Sequence, residues 1–340
     1  MKIVDMHCDT ISRLYDMRKD MASSGKLVNG VNLRDNSCHI DLNRMKKGDY
    51  LLQNFALFVE KSSCDDPWTR VCVLKDYFLE EMKNNSDVIR QVYSYADIEK
   101  NIKEGKMSAL LTVEEGAVCK GEIEKLRELY SFGVRMLTIT WNFENELGSP
   151  NYRPFENDDD YLKYRHIPNT ERGLTERGIE FVCEMESLGI IPDVSHLSDA
   201  GFYDVARITK KPFVASHSNA REVCGNVRNM TDDMIRTLAN CGGVMGLNFC
   251  PDFLEEGPNG EECPGTVAAI VRHAKHIVNI GGIDVLGLGT DFDGIQDHAE
   301  LSGAHQMEKL WMALVKGGFS EADADKIFGE NVLRVYREVL

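Results

Sequence analysis

Near its N-terminus the chain reads Val4-Asp5-Met6-His7-Cys8-Asp9. Side chains alternate across a strand, so His7 and Asp9 share one face and Cys8 takes the other. An imidazole and a carboxylate so placed at a strand's C-terminal end form a compact pair of metal ligands. Taken alone, His-x-Asp is more simply a buried histidine held by an aspartate. Later segments weigh against that simpler reading, because Glu114 or Glu115, His196, His217 and Asp291 each end a further apolar run. Three imidazoles and three carboxylates meeting in one place need neutralising, and divalent cations are the natural neutralisers. The nitrogen and oxygen donors suit zinc or another first-row metal better than magnesium or calcium. Six candidates exceed what one catalytic ion with an open position can use. Two ions roughly 3.5–4 Å apart, bridged by a carboxylate and a hydroxide, fit better. The hydroxide is then the nucleophile, and one carboxylate stays off the metals to take and return a proton.

These residues need a frame that gathers strand ends. After the first strand, apolar runs occur at 51–59, 107–113, 136–141, 190–196, 212–217, 242–249 and 285–291. Helical patterns separate most of them, at 68–84, 123–132, 175–188 and 266–280, with Ser198 and Thr231 capping two more and Ser320 opening the last. Residues 11–48 read as a long polar loop with a short helix, and 143–168 as a binding loop or lid. Strand–helix alternation implies parallel strands joined by right-handed crossovers, and eight strands favour a closed (β/α)8 TIM-type barrel, class α/β. No glycine-rich dinucleotide fingerprint follows the first strand, against an open doubly wound sheet. No linker or repeat divides the chain, which predicts one domain over 1–340.

Composition narrows the class. The chain carries 55 acidic against 39 basic residues, a net charge of -16. Such a surface repels phosphate backbones, which argues against nucleic acid as a partner. The run Glu156-Asn157-Asp158-Asp159-Asp160 reads as an exposed loop. No signal peptide is evident and no apolar run approaches the ~18 residues of a membrane span, so no membrane partner and a soluble, cytoplasmic protein are expected. The ten cysteines are scattered with no Cys-x-x-Cys pair and read as reduced, mostly buried thiols.

Ordered motifs across nearly the whole chain carry a resemblance: Asp5-Met6-His7-Cys8-Asp9, Val113-Glu114-Glu115-Gly116, Asp193-Val194-Ser195-His196, Ser216-His217-Ser218-Asn219-Ala220, Arg228-Asn229, Gly289-Thr290-Asp291-Phe292-Asp293-Gly294 and Glu330-Asn331-Val332-Leu333-Arg334. The chain resembles the membrane (renal) dipeptidase family of metallopeptidases, with an amidohydrolase-like barrel. The resemblance implies a zinc-dependent dipeptidase holding two Zn2+ per chain, acting on small dipeptides including L-Xaa-D-Xaa, as a homodimer. It implies that His7 and Asp9 bind one zinc, His196 and His217 the other, and that Glu114 bridges them. Asp291 becomes the proton shuttle beside the substrate. Arg228 grips the substrate's C-terminal carboxylate, as a guanidinium can with two parallel hydrogen bonds. Without the resemblance, Arg228 reads as a surface ion pair with Asp232 or Asp233.

The chain departs from the family pattern in three places. Trp141-Asn142 stands where mammalian members carry a substrate-contacting histidine, leaving Asn142 as the candidate donor. Glu115 stands for the first glycine of Glu-Gly-Gly, and Cys250 for a substrate-binding tyrosine. Asp293 reads as structural, and His39, His166, His273, His276, His298 and His305 have no motif support. Hydrolysis of an N-acyl-D-amino acid or a lactam is the alternative chemistry. A catalytically silent metal-binding barrel is the alternative from another class.

Overall fold

The apolar runs fold into short parallel strands. The computed structural model describes residues 1–24, 30–153, 162–257, 263–296 and 298–340. Its strands are β1 (Ile3–Asp5), β2 (Tyr50–Phe58), β3 (Ile89–Gln91), β4 (Met107–Glu114), β5 (Val134–Thr138), β6 (Ile191–Asp193), β7 (Val214–Ala215), β8 (Val244–Leu247) and β9 (Leu286–Leu288). They pair in the order β2-β1-β9-β8-β7-β6-β5-β4, and a β2–β4 ladder closes the ring into the eight-stranded barrel. β3 adds outside that ring, pairing with the first residues of β4.

Two apolar layers hold the barrel together. One lies between the strands and the surrounding helices. The other fills the lower interior with Val4, Leu52, Leu110, Met136, Ile191, Val214 and Val244. Ile191, Val214 and Val244 are the first residues of their strands, and they pack on Val332, Val335 and Tyr336 of the last helix, Asn331–Val339. Each fully buried side chain of this kind contributes roughly 1.5–3 kcal/mol. That helix therefore seals one end of the barrel, and the other end, where the strands finish, remains for chemistry.

The helix starts follow from capping. Ser198, Thr231 and Ser320 each accept a backbone N–H from three residues on, as their positions predict. Two expectations need correction. The segment 11–48, read as a loop with one short helix, holds the longer helix Thr10–Ser23, buried at Thr10, Ile11, Ser12 and Leu14 with Tyr15, Met17 and Met21 packed partly on the core, and the short helix Leu42–Lys47. The helix Tyr95–Lys103, with the capping box Ser94 and Asp97, was also missing from the sequence reading. The acidic run at 156–160 lies outside the described residues. All ten cysteines are free thiols. Among the described residues, no helix is long and apolar enough to cross a membrane.

Candidate metal centre

Glu114 is the last residue of β4, and the other ligand-type residues sit just beyond their strands. β1 ends at Asp5, but the chain stays extended beyond it: Met6 N–H donates to Leu288 O, Cys8 bridges Phe292 and Asp9 N–H donates to Phe292 O, so His7 and Asp9 share one side as alternation predicts. Asp9 immediately precedes the helix Thr10–Ser23. His196 and Asp291 leave the ladder with φ of 70° and 62°, left-handed conformations that non-glycine residues hold only where surroundings enforce them. Asp293, at φ 73°, likewise lies outside the strand.

These turns bring the six residues together. Glu114 lies at their middle and uses its two oxygens separately. Oε1 is 3.0 Å from His196 Nε2 and 3.4 Å from His217 Nε2; Oε2 is 3.3 Å from His7 Nε2. His7 Nε2 is also 3.4 Å from Asp9 Oδ2 and 3.8 Å from Asp291 Oδ1. Ligand atoms of His7, Glu114 and His217, and again of His7, Asp9 and Asp291, lie within 4.8 Å of one another. Glu115 turns away from this group, so of the two neighbours it is Glu114 that faces the imidazoles.

The imidazoles are oriented by what their outer nitrogens touch. His196 Nδ1–H donates to Asn142 Oδ1 at 2.7 Å. Ser216 Oγ donates to Asp193 Oδ2 at 2.6 Å and so accepts from His217 Nδ1–H at 2.7 Å. Both Nε2 lone pairs then point inward, 3.0 Å apart. Asp5 performs a similar task on the other side, accepting from Thr290 N–H and Oγ1–H and from His7 N–H. Such partners fix tautomer and ring position at metal sites.

The electrostatics is that of a site built around positive charge. Burial pushes the Asp9 carboxyl up to about 6, with Glu114 repelling it further. Burial, with Asp9 and Glu114 nearby, pushes Asp291 up to about 7 despite His7. Burial would raise Glu114 too, but the charge of His7 holds it well below its ordinary value. Burial and the Arg228 guanidinium lower His196 to about 4, and burial with His7 lowers His217 well below its usual range. Burial opposes charge on His7, yet Glu114 and Asp9 keep it well above. His7 Nε2 and Asp9 Oδ1 are buried without hydrogen-bond partners. Facing lone pairs, crowded carboxylates and orphaned ligand atoms are the arrangement that divalent cations satisfy.

A cleft of about 430 Å³ opens over this centre, lined by Asp9, Glu114, His196 and Asp291 below and by Phe58, Trp141, Asn142, Cys250 and Phe253 at its walls. Arg228 is 3% exposed, so the surface-pair reading is wrong: Asp232 pairs with His276 and Arg236, and Asp233 with Tyr203. Its Nη2–H donates to His217 O at 3.3 Å, its guanidinium lies 5.3 Å from the Phe253 ring, and its Nε and Nη1 have no partner.

Sequence reasoning missed three contributors. Asn248 donates to Asp291 Oδ2 at 2.8 Å; its place at the end of an apolar run was the available signal. A Cβ on Gly294 would meet Asp9 Oδ2 at 2.1 Å, so only glycine lets this turn approach the carboxylates. The Asp193–Ser216 link depends on pairing between neighbouring strands, which no local pattern reveals. Among the other histidines, His273 is buried between Ala220 N–H and Leu254 O. His39 and Thr10 hold Asp293, in keeping with a structural aspartate.

The family model for membrane dipeptidase (peptidase family M19) matches residues 1–340. An uncharacterized protein from the pqqA 5′ region of Klebsiella pneumoniae is 34% identical over 274 residues, covering 80% of this chain and 95% of its own. An uncharacterized dipeptidase of Schizosaccharomyces pombe is 28% identical over 363 residues, covering 99% of this chain and 80% of that protein. A metallopeptidase from Rhodobacter sphaeroides, solved with a phosphinate mimic of the dipeptide L-Ala-D-Ala, shares the fold with a TM-score of 0.86 at 24% identity, over 100% of this chain and 99% of that one.

Proposed function

Since the chain belongs to the membrane dipeptidase family, peptidase family M19, we propose that it is a two-zinc dipeptidase that accepts L-Xaa-D-Xaa substrates. The observation that carries this reading is the split use of Glu114, whose Oε1 faces His196 and His217 while Oε2 faces His7 beside Asp9. In this reading His7 and Asp9 hold one ion, His196 and His217 the other, and Glu114 spans both. When bound, the pair supplies Lewis-acid polarisation of the scissile carbonyl and an activated water.

The protein's own groups do the rest. Arg228, buried with its Nε and Nη1 unpartnered, is the group for the substrate's C-terminal carboxylate. Asn142, its Oδ1 taken by His196, keeps its amide N–H groups for the substrate's carbonyl oxygen. Asp291 is held through Oδ2 by Asn248, leaving Oδ1 to take a proton and return it to the leaving amine. The cleft also carries Asp16 and Asp252 near its mouth.

A chiral dipeptide panel assayed with added zinc tests the proposal. Turnover of L-Xaa-D-Xaa and L-L dipeptides, with little of N-acyl-D-amino acids, is expected; the reverse order would overturn it. The homodimer implied by the resemblance belongs to the same proposal and is checked by light scattering.

A further inference from the structure

Glu115 is fully buried, one residue from the centre of the site, and contacts none of the imidazoles. Its backbone sits at φ 103° and ψ 102°, a region where a side chain costs about 1–3 kcal/mol and persists only if neighbours enforce it. Its carboxylate is fully engaged. Oε1 accepts from Ala117 N–H at 2.7 Å and from Asn145 Nδ2–H at 2.5 Å; Oε2 accepts from Trp141 N–H at 3.0 Å. Asn145 in turn donates to Ile139 O and accepts from the N–H groups of Leu147 and Gly148. The segment 139–148 is thus folded around one carboxylate. Within it, Trp141 forms a cleft wall against Phe58, and Asn142 holds His196 Nδ1.

We infer that Glu115 is a positioning residue, whose carboxylate pins the loop after β5 so that Asn142 keeps His196 in the Nδ1–H tautomer with Nε2 free toward the centre. From that strained backbone the carboxylate meets all three donors. The kinetic part of the inference rests on the dipeptidase reading; the tautomer and metal-affinity parts do not.

Two variants test it. Glu115→Gly removes the carboxylate and relieves the backbone. Glu115→Gln keeps the shape but sets an amide N–H against Trp141 N–H. The readouts are imidazole ¹⁵N shifts of His196, zinc affinity by chelator competition, and kcat and KM on a dipeptide. Expected are a mixed His196 tautomer, zinc affinity of the weaker ion down about 10-fold or more, and kcat lowered by a similar factor. Adding either change to Asn142→Ala should cost less than about 2-fold more, because both act through one contact. Should Glu115→Gly fail to fold, Glu115→Gln carries the test alone. A merely structural role would lower Tm yet leave the His196 tautomer and zinc affinity as in wild type and make the Asn142→Ala combination additive; that result overturns the inference. A changed tautomer in the variants, with no dipeptide turnover by the wild type, would support the inference and sink the dipeptidase reading instead.

Discussion

Replacing Arg228 with methionine should leave the free protein about as stable as before while removing its grip on a carboxylate. Two buried donors, Nε and Nη1, lack partners, at about 1–3 kcal/mol each. Methionine removes that penalty. It also loses the hydrogen bond to His217 O, about 1.5–3 kcal/mol, and the contact with Phe253, about 0.5–2 kcal/mol. The terms nearly cancel, so Tm should shift by only a few degrees. With substrate bound, the guanidinium makes two charge-assisted bonds of about 1.5–3 kcal/mol each, so their loss should lower kcat/KM by roughly 10²- to 10⁴-fold. The assay compares a dipeptide with its C-terminal amide on both proteins. Wild type should prefer the acid by that factor, and Arg228→Met should treat the two alike. A variant that keeps the preference, or loses equally on acid and amide, would refute the reasoning.

Three further predictions follow from the geometry. Asp291→Asn should retain its metal by elemental analysis yet lose about 10²- to 10⁴-fold in kcat; full activity would remove the proton-transfer role. Gly294→Ala places a Cβ against Asp9 Oδ2 at 2.1 Å and should lower metal content with the far-UV circular dichroism unchanged; wild-type metal content would show that the turn can yield. His273 is lowered to about 4 by burial, from about 6.5 when unfolded. The unfolded chain therefore takes up a proton that the folded one refuses, so the neutral imidazole's stability is complete above pH 6.5 and is lost as pH falls toward 4. That loss is about 2 kcal/mol by pH 5. His273→Gln, which can still accept from Ala220 N–H and donate to Leu254 O, should lack this component in denaturant titrations at pH 8 and 5; an identical pH slope in both proteins would contradict it.

The barrel was legible because its strands are uninterrupted apolar runs, and the candidate cluster because His7, Asp9, Glu114, His196, His217 and Asp291 each follow such a run. The extents were less so. The runs at 190–196 and 212–217 shrink to the ladders Ile191–Asp193 and Val214–Ala215, since the residues beyond must leave the strand for their side chains to converge. β3 is three residues long, too short for any periodicity to show. Glu115 was noticed as a departure, but its purpose was not readable: two of its three partners lie 26 and 30 residues away. Arg228 shows the opposite limit. Its sequence neighbours Asp232 and Asp233 suggest a surface pair, and only the fold shows that it turns inward.

Anomalous diffraction from crystals grown with zinc tests most directly the claim that a pair of cations straddles Glu114. The account predicts two peaks roughly 3.5–4 Å apart, one between Glu114 Oε2, His7 and Asp9, the other between Glu114 Oε1, His196 and His217. A single peak, or peaks out of reach of Glu114, would contradict it.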